Sequence, residues 1–248
     1  MQTVLITGCS SGFGLETARL FLERGWNVVA TMRTPRHDLL PASERLRVLA
    51  LDVGNAASIR AAIDAAGPLD ALVNNAGIGV LYPLEATSMA TASEVFETNT
   101  LGTIALTQAV LPAMRARGAG AIVNVTSTVT LKALPLLSVY TASKAAVNAF
   151  TESLALELEP LGIRARLVLP GMAPGTRFGA NAGPRMQGEL PEAYRPMLDE
   201  VFAGMRGHTG PLTQAQDVAA AVWRAVTDPH APMRIPAGAD AEALAASL

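Results

Sequence analysis

The chain has 248 residues, and its 19 Lys and Arg side chains against 21 Asp and Glu give a formal net charge of −2. This charge balance, together with an aromatic content of 4%, excludes the basic surface and the stacking platforms on which nucleic-acid-binding proteins depend. Hydrophobic residues reach 50% and charged residues only 16%, which excludes a mainly disordered chain and indicates a large core, an apolar pocket or a subunit interface.

Short apolar segments alternate with longer segments of helical periodicity over the first 170 residues. The predicted strands are Thr3–Thr7, Asn27–Thr31, Arg47–Leu51, Leu69–Val73, Ala121–Thr126 and Arg164–Leu169. The predicted helices between them include Phe13–Arg24, Ala56–Ala66, Ser93–Arg117 and Val139–Glu159. The strands are rich in Val, Ile and Leu, as parallel strands covered on both faces are. We therefore predict a single-domain, doubly wound α/β fold of about seven strands.

The composition changes after Pro170 to Gly, Pro, Met and scattered aromatic residues. We expect residues 172–212 to form an excursion from the single domain, which covers residues 1–248. A small helical unit packed on the core and a mobile lid over an apolar ligand explain this composition equally well. Beyond the excursion, the pattern predicts a helix at Gln214–Thr227, an edge strand at Met233–Ile235 and a terminal helix at Ala239–Leu248.

Cysteine usage and the N-terminus bear on the compartment. Cys9 is the single cysteine, which excludes an intrachain disulfide and suits a reducing environment. The N-terminus runs straight into an apolar segment with no basic leader, so we expect no signal peptide and a cytoplasmic protein. Residues 98–114 lack charge but are interrupted by polar side chains, which predicts a buried helix and no membrane span.

A glycine-rich turn, Thr7–Gly14, follows the first predicted strand and opens the first helix. Its glycines permit a tight turn that brings backbone N–H groups to a pyrophosphate at the helix N-terminus. The spacing is G-x-x-x-G-x-G, and the lack of a following Gly-Lys-Ser/Thr argues against nucleotide hydrolysis. We interpret Cys9 as a small residue that fits a crowded turn. The expected dinucleotide contacts here are Gly8, Ser10, Ser11, Gly12, Phe13 and Gly14.

The end of the second strand indicates which dinucleotide is preferred. NAD-binding proteins usually carry an acidic residue there to bind the adenosine 2′-hydroxyl. This chain has Arg33, followed by Arg36 and His37, and a guanidinium binds phosphate well. We therefore expect NADP(H) to be preferred over NAD(H), with solvated loop cations as the alternative interpretation. Asp52 and Val53 follow the third strand and are expected to face the adenine, although an Asp there is also a common turn former.

Four polar residues are candidates for catalysis. Tyr140 and Lys144 lie four residues apart in a segment of helical periodicity, so their side chains share one face; a packed tyrosine beside a snorkelling lysine would give the same spacing. Ser127 follows the fifth strand, at the carboxyl edge where open α/β sheets bind ligands. Asn99 interrupts an apolar helix, where a buried amide must find a hydrogen-bond partner. Together these residues predict one polar cleft.

Taken together, these motifs resemble those of the classical short-chain dehydrogenase/reductase family, from residue 3 to about 171. The matching positions are Thr7-Gly8-x-x-x-Gly12-x-Gly14, Asp52-Val53, Asn74-Asn75-Ala76-Gly77, Asn99, Ser127, Tyr140-x-x-x-Lys144 and Pro170-Gly171. Residues 30–33 and 234–241 resemble the 17-beta-hydroxysteroid dehydrogenase-like branch of that family. The resemblance implies a Rossmann-type fold and a homodimer or homotetramer that pairs the helices Ser93–Arg117 and Val139–Glu159.

The resemblance also implies a role for each polar residue. Tyr140 would protonate a carbonyl oxygen during reduction and deprotonate an alcohol during oxidation. Lys144 would favour the phenolate and bind the nicotinamide ribose, while Ser127 would donate to the substrate oxygen. Asn99 would position a water that relays protons from Lys144, or would pin the backbone of its own helix.

Further cofactor contacts follow from the same resemblance. They are Asn75, Ala76 and Gly77 beside the adenine ribose, and Pro170, Gly171, Ala173 and Thr176 toward the nicotinamide. Asn74 is expected to tie strands together. This chain departs from the family at one place: the usual Thr five residues after the Pro is Gly175, with Thr176 one residue later, and Pro174 removes a backbone donor nearby.

The function predicted from these features is an NADP(H)-preferring oxidoreductase that moves a hydride between nicotinamide and an apolar ketone or secondary alcohol. The expected substrate contacts are Ser127, Tyr140, Leu137, Met172 and Phe178. A non-catalytic dinucleotide sensor or scaffold on the same fold is the alternative, and an epimerase, isomerase or dehalogenase is a third. The scattered histidines His37, His208 and His230 give no reason to expect a metal.

Overall fold

The computed structural model describes all 248 residues. Seven strands form one parallel sheet in the order β3-β2-β1-β4-β5-β6-β7. Their bounds are β1 Thr3–Thr7, β2 Asn27–Met32, β3 Leu46–Ala50, β4 Ala71–Asn74, β5 Gly120–Val125, β6 Ile163–Pro170 and β7 Arg234–Ala237. The strand order reverses between β1 and β4, which pair in register through Ile6 and Val73. The predicted single-domain, doubly wound fold is confirmed, and its switch point lies at the carboxyl end of β1.

Nine α-helices connect and cover the strands. Their bounds are α1 Gly12–Glu23, α2 Ala56–Ala66, α3 Met89–Phe96, α4 Gly102–Arg117, α5 Ser138–Leu158, α6 Phe178–Ala182, α7 Arg195–Arg206, α8 Ala215–Thr227 and α9 Ala239–Ala246. A π-helical segment, Glu97–Leu101, joins α3 to α4. None of the helices is both long enough and apolar enough to cross a membrane.

The core has two layers because side chains alternate across each strand. Val4 and Ile6 of β1 point to the layer covered by α1 and α8, where Phe21 is fully buried. Leu5 points to the opposite layer, where α2, α4 and α5 supply Ile59 and other apolar residues. The sheet is therefore apolar on both faces, and polar residues are left for its carboxyl edge.

Most predicted boundaries lie within two residues of the observed ones. The prediction of one helix at Ser93–Arg117 is wrong in two respects. The helix begins four residues earlier, at Met89, because the hydroxyl of Ser88 accepts a hydrogen bond from the Thr91 N–H and caps it. It is also interrupted by the π-helical segment, which turns Asn99 inward.

The excursion at residues 172–212 contains α6, α7 and short 3₁₀ turns. Its apolar residues Met186, Leu190 and Leu198 pack against a small cluster that includes Tyr82 and Val95. The Tyr82 hydroxyl also donates to the Gly188 carbonyl at 2.8 Å. Leu198 belongs to α7, which has no fully buried residue. The excursion is thus seated on the domain partly through Leu198, while most of α7 lies at the surface.

Candidate active site

The glycine-rich turn between β1 and α1 is shaped by close backbone packing. Gly8 has a φ of +75°, which L-residues rarely adopt, and a Cβ at this position would lie 3.0 Å from Cα of Ala76. A Cβ on Gly14 would lie 2.5 Å from the Gly8 carbonyl oxygen. Gly14 therefore lies beneath the turn, where it lets α1 approach it closely.

Polar contacts lock the turn to the end of β4. The Thr7 hydroxyl accepts hydrogen bonds from the N–H groups of Asn75 and Ala76, each at 2.9 Å. The Asn75 side chain in turn donates to the Thr7 carbonyl at 2.8 Å. The ends of β1 and β4 are thus hydrogen-bonded to each other at the switch point, which fixes the position of the turn.

The N-terminus of α1 follows this turn directly and faces the cleft beside it. Ser11 precedes the helix, its side chain caps nothing, and the first turn of α1 carries no acidic residue. The first N–H groups of a helix have no partner within the helix. Here they are left to the adjoining cleft, which is the arrangement that binds phosphate groups.

A cleft of about 210 Å³ opens above the turn. The predicted dinucleotide contacts that line it are Gly8, Ser10, Ser11, Gly12, Phe13, Arg33, Asp52, Val53, Asn75, Ala76, Gly77 and Thr176. Sequence reasoning missed Met32, Leu51, Ile78, Glu94, Thr98, Arg177, Asn181 and Arg185, which also line it. Met32, Leu51 and Ile78 are each adjacent in sequence to a predicted contact, so their positions at or near strand ends could have indicated them. Glu94 and Arg185 come together from distant segments, and no local pattern indicates them.

The remaining predicted contacts do not line this cleft: Gly14, Tyr140, Lys144, Pro170, Gly171 and Ala173. Tyr140 is covered by Phe178, which itself lines the cleft. Lys144 lies just behind the cleft wall, because a Cβ on Gly77 would be 3.2 Å from its Nζ atom. The Ala173 carbonyl accepts a hydrogen bond from the Thr176 hydroxyl at 2.9 Å.

The two arginines in the loop after β2 differ in their surroundings. Arg33 is exposed in the cleft and forms no ion pair. Arg36, in contrast, is paired with Asp38 at 2.7 Å. The carboxylate of Asp52 accepts from the Gly54 N–H at 3.0 Å, so Asp52 forms a turn while it lines the cleft. Of the two arginines in this loop, Arg33 is the one without a carboxylate partner.

Ser127 and Tyr140 meet at the carboxyl edge of the sheet. Ser127 follows β5 and begins a short 3₁₀ turn, where its hydroxyl accepts from the Val129 N–H at 3.3 Å. Tyr140 lies in the first turn of α5, and both side chains are buried. Burial raises the pKa of Tyr140 well above its usual value of 10, and the neighbouring Ser127 hydroxyl partly offsets that rise.

Lys144 lies one helical turn after Tyr140 and is also buried. Its ammonium donates to the Val125 carbonyl, the last residue of β5, at 3.0 Å. Burial lowers the pKa of Lys144 to about 8. The lysine is therefore still mostly protonated at pH 7, so a positive charge is held one turn from the phenol.

Asn99 uses its whole amide to hold the backbone in place. Its Oδ1 accepts from the Ile78 N–H at 2.8 Å, and its Nδ2 donates to the Ile78 carbonyl at 2.9 Å and to the Ser143 hydroxyl at 3.0 Å. The π-helical segment is thus tied to the loop after β4 and to α5. These contacts give Asn99 a structural role toward the Ile78 loop and α5, and its side chain forms no hydrogen bond with the backbone of its own helix.

Asn74 and Asn124 form a polar bridge inside the sheet. Asn74 Nδ2 donates to Asn124 Oδ1 at 2.8 Å, and Asn124 Nδ2 donates to the Thr151 hydroxyl at 2.8 Å. This chain of hydrogen bonds links β4, β5 and α5. It confirms that Asn74 ties strands together.

Of the predicted apolar contacts, Phe178 packs directly against Tyr140. The ring of Phe178 lies 5.2 Å from the ring of Tyr140, centroid to centroid. A Cβ on Gly79 would overlap the Phe178 ring, so Gly79 provides its seat. Leu137 is buried immediately before α5, and Met172 is half-buried at the start of the excursion.

Cys9 has no reactive surroundings. It is fully buried, and its Sγ donates to the Ile6 carbonyl at 3.2 Å. Burial raises the pKa of its thiol to about 12. The interpretation of Cys9 as a small residue that fills the crowded turn is confirmed.

Sequence and structure comparisons identify relatives of the whole chain. The short chain dehydrogenase family model matches residues 2–186. Rat estradiol 17-beta-dehydrogenase 1 is 37% identical over 228 residues, which are 86% of this chain and 66% of that protein. The chain spans less than two thirds of the length of several curated relatives it matches.

Solved structures match over almost the full length. The closed form of serine dehydrogenase complexed with NADP+ superposes with a TM-score of 0.78 at 30% identity, covering 96% of this chain and 94% of that one. A short chain dehydrogenase/reductase from Burkholderia phymatum in complex with NAD superposes with a TM-score of 0.80 at 26% identity, covering 95% and 88%. Proteins of this shape therefore bind either dinucleotide.

Proposed function

Because this chain belongs to the short-chain dehydrogenase/reductase family of oxidoreductases, we propose that it reduces an apolar ketone, or oxidises the matching secondary alcohol, with NADP(H) as the preferred cofactor. The observation that carries the proposal is the grouping of Ser127, Tyr140 and Lys144. All three are buried at the carboxyl edge of the sheet, beside a cleft that begins at a phosphate-binding turn.

The cleft suits a dinucleotide in shape and in chemistry. The uncapped N-terminus of α1 and the close packing at Gly8 leave room and N–H donors for a pyrophosphate. Asp52 and Val53 line the adenine end, and Thr176 lines the cleft on the opposite side of the turn. When bound, nicotinamide would supply or accept the hydride, and its oxidised form would add a positive charge near Tyr140.

Arg33 supports the preference for NADP(H). Its guanidinium is exposed in the cleft and unpaired, whereas the nearby Arg36 is neutralised by Asp38. An adenosine 2′-phosphate would satisfy Arg33 with two hydrogen bonds. NAD(H) lacks that phosphate and would leave the guanidinium without a partner.

The chemistry of the chain itself is a proton transfer at Tyr140. During reduction the phenol donates its proton to the substrate oxygen, while Ser127 donates a hydrogen bond to the same oxygen. During oxidation the phenolate takes the proton from the alcohol. Burial opposes the phenolate, so the positive charge of Lys144 is needed to bring the proton affinity of Tyr140 toward neutrality.

The substrate is proposed to be apolar and bulky. Phe178 covers Tyr140, Leu137 precedes Tyr140 by three residues at the start of α5, and Met172 is half-buried at the start of the excursion. Of the two excursion arginines that line the cleft, Arg185 is bound to Glu94 at 2.5 and 2.9 Å, whereas Arg177, next to Phe178, forms no ion pair. A family relative that acts on estradiol fits the same class of substrate.

We also propose that the chain forms a homodimer through α4 and α5. A surface groove between these helices is lined by apolar residues, among them Leu111, Pro112, Leu154 and Leu161. Such a groove repeated on a second copy makes a self-complementary interface. This interface closes at two copies, so a tetramer would need a second, different interface on each chain.

Titration with NADPH and NADH, followed by a ketone and alcohol panel, tests the proposal. Binding is read from the fluorescence of the reduced nicotinamide, and turnover from its absorbance. Tighter binding of NADPH with turnover of bulky ketones is expected. Binding without turnover of any ketone or alcohol favours the sensor alternative, and binding of neither dinucleotide overturns the proposal.

A further inference from the structure

The sequence segment 234–241 near the C-terminus matches a branch-specific pattern, yet none of its residues lies in the cleft or touches the catalytic group. Its one ionisable side chain after β7, that of Asp240, reaches instead to the start of the excursion. The Asp240 carboxylate accepts a hydrogen bond from the Met172 N–H at 2.6 Å. A charged acceptor makes this a strong hydrogen bond.

Thr213 holds the other end of the excursion to the same carboxylate. Its hydroxyl lies 2.7 Å from Asp240 Oδ1 and 2.8 Å from the Ala237 carbonyl, and it accepts from the Gly171 N–H at 2.9 Å. The Thr213 N–H also donates to the Met172 carbonyl at 3.0 Å. Thr213 is only 2% exposed. The two ends of the excursion, Met172 and Thr213, are thus bonded to each other and to Asp240.

The packing around Asp240 and Thr213 leaves no room for a side chain at two glycines, Gly171 and Gly238. A Cβ on Gly171 would overlap the Asp240 carboxylate, and a Cβ on Gly238 would overlap the Thr213 hydroxyl. Gly238 has a φ of +104°, which an L-residue rarely adopts. Both glycines are therefore required for the carboxylate and the hydroxyl to reach the end of β6.

We propose that Asp240, through Thr213, is a positioning residue for the reaction: it fixes Pro170–Met172 as the wall of the nicotinamide pocket and anchors both ends of the excursion. This inference rests on the proposed function and on the expectation, drawn from the family resemblance, that the nicotinamide lies beside Pro170 and Gly171, which the cleft lining does not include. The segment leaves the sheet at Pro170, which pairs with Ala237 of β7. Without the carboxylate, the Met172 N–H loses its acceptor and the wall is free to shift.

The position of the contact predicts which part of the cofactor is affected. Met172 and Gly171 follow the end of β6, whereas the phosphate turn follows β1, and two strands, β4 and β5, lie between β1 and β6 in the sheet. Loss of the Asp240 contact should weaken binding of the nicotinamide half and leave the adenosine and pyrophosphate half unchanged. A merely structural role would weaken both halves together.

The test compares wild type with Asp240→Ala and Asp240→Asn. Dissociation constants are measured by fluorescence for NADPH and, by competition, for 2′-phospho-ADP-ribose, which lacks the nicotinamide. D240A is expected to weaken NADPH about tenfold and to leave 2′-phospho-ADP-ribose within about twofold. Its KM for the ketone should rise, and the pH profile of kcat should stay that of the wild type.

The conservative variant should restore function. In D240N the amide oxygen can accept from the Met172 N–H, and the amide nitrogen can donate to the Thr213 hydroxyl, whose own proton then goes to the Ala237 carbonyl. Its NADPH affinity should lie within about threefold of wild type. Glu242→Ala is the control, because Glu242 is an exposed acid in the same helical turn of α9.

The outcomes separate this inference from the proposed function. Failure of the wild type to bind or turn over overturns the proposed function, whatever the variants do. A wild type that works, with D240A binding both ligands as the wild type does or losing both equally, overturns the inference. If D240A does not fold, Thr213→Val, which removes the hydroxyl alone, is measured with the same two ligands and must show the same selective loss.

Discussion

The ring of Phe178 lies 5.2 Å from the ring of Tyr140, tilted by 56°, so the general acid proposed for this enzyme is covered by an aromatic side chain from the excursion. Phe178 is nevertheless 38% exposed, and its seat exists only because Gly79 has no side chain. The cover belongs to the excursion, and segments beside rigid sheets often act as lids. An incoming apolar substrate would displace the ring and then pack against it.

Replacement of Phe178 should therefore change substrate binding more than catalysis. Phe178→Ala removes an apolar wall, so KM for a bulky apolar ketone should rise about tenfold, while KM for a small ketone should change little. Phe178→Leu should recover most of the loss. Steady-state kinetics with both ketones makes the measurement, with Met197→Ala, an exposed apolar residue of α7, as the control. An equal rise for small and bulky ketones contradicts the proposed wall.

Arg33 should discriminate between the two dinucleotides. Arg33→Ala removes the partner of the 2′-phosphate, so the dissociation constant of NADPH should rise about tenfold or more, while that of NADH stays unchanged. Arg36→Ala is the matched control, because the Arg36 guanidinium is already paired with Asp38. Fluorescence titration gives all four values. An equal loss of affinity for NADPH and NADH would mean that Arg33 does not bind the 2′-phosphate.

The buried charge of Lys144 should lower the free energy of unfolding by an amount that depends on pH. Its pKa is lowered to about 8 from an ordinary value of 10.5, so the unfolded chain binds this proton more tightly than the folded one. The free energy of unfolding is therefore highest above about pH 10.5, where Lys144 is neutral in both the folded and the unfolded chain. It falls as the pH drops toward 8 and is constant below that. The cost at pH 7 is up to about 3 kcal/mol.

Lys144→Met removes this cost together with the hydrogen bond to the Val125 carbonyl. We take the difference in free energy of unfolding between the variant and the wild type at each pH. This difference should be more favourable to the variant at pH 7 than at pH 10.5, by up to about 3 kcal/mol. Urea unfolding at the two pH values measures it. Lys132→Met, at the exposed second lysine, should show no such pH dependence. A difference that is the same at both pH values contradicts the burial of a charged lysine.

The groove between α4 and α5 should be the subunit interface. Leu161 lines it and is 38% exposed in the single chain. Leu161→Asp places a charge in the interface, so the mass measured by light scattering at micromolar concentration should fall from dimer or tetramer to a smaller species. Met89→Asp, at an equally apolar but separate surface position that is 78% exposed, should leave the mass unchanged. A monomeric wild type would refute the interface.

The sequence was informative wherever one local pattern decided the structure. Segments rich in Val, Ile and Leu located the six strands β1 to β6, because parallel strands covered on both faces are built from such residues. The four-residue spacing of Tyr140 and Lys144 and the position of Ser127 after a strand indicated the catalytic group, because helix periodicity and the carboxyl edge of the sheet are local properties.

Contacts between distant segments were beyond the reach of the sequence. The bond between Asp240 and Met172 joins residues 68 positions apart, and the ion pair of Arg185 with Glu94 joins residues 91 apart. No periodicity specifies such pairs. The π-helical segment at Asn99 was missed for the same reason, since it is the distant Ile78 backbone that holds the Asn99 amide.

The most direct test of the account is the turnover of Tyr140→Phe. The substitution removes only the hydroxyl, so kcat for the ketone should fall about 10³-fold, while the dissociation constant of NADPH stays near the wild-type value. Tyr194→Phe, in the excursion, serves as the hydroxyl control. A Tyr140→Phe enzyme that reduces the ketone at the wild-type rate would contradict the assignment of Tyr140 as the proton donor, and with it the proposed mechanism.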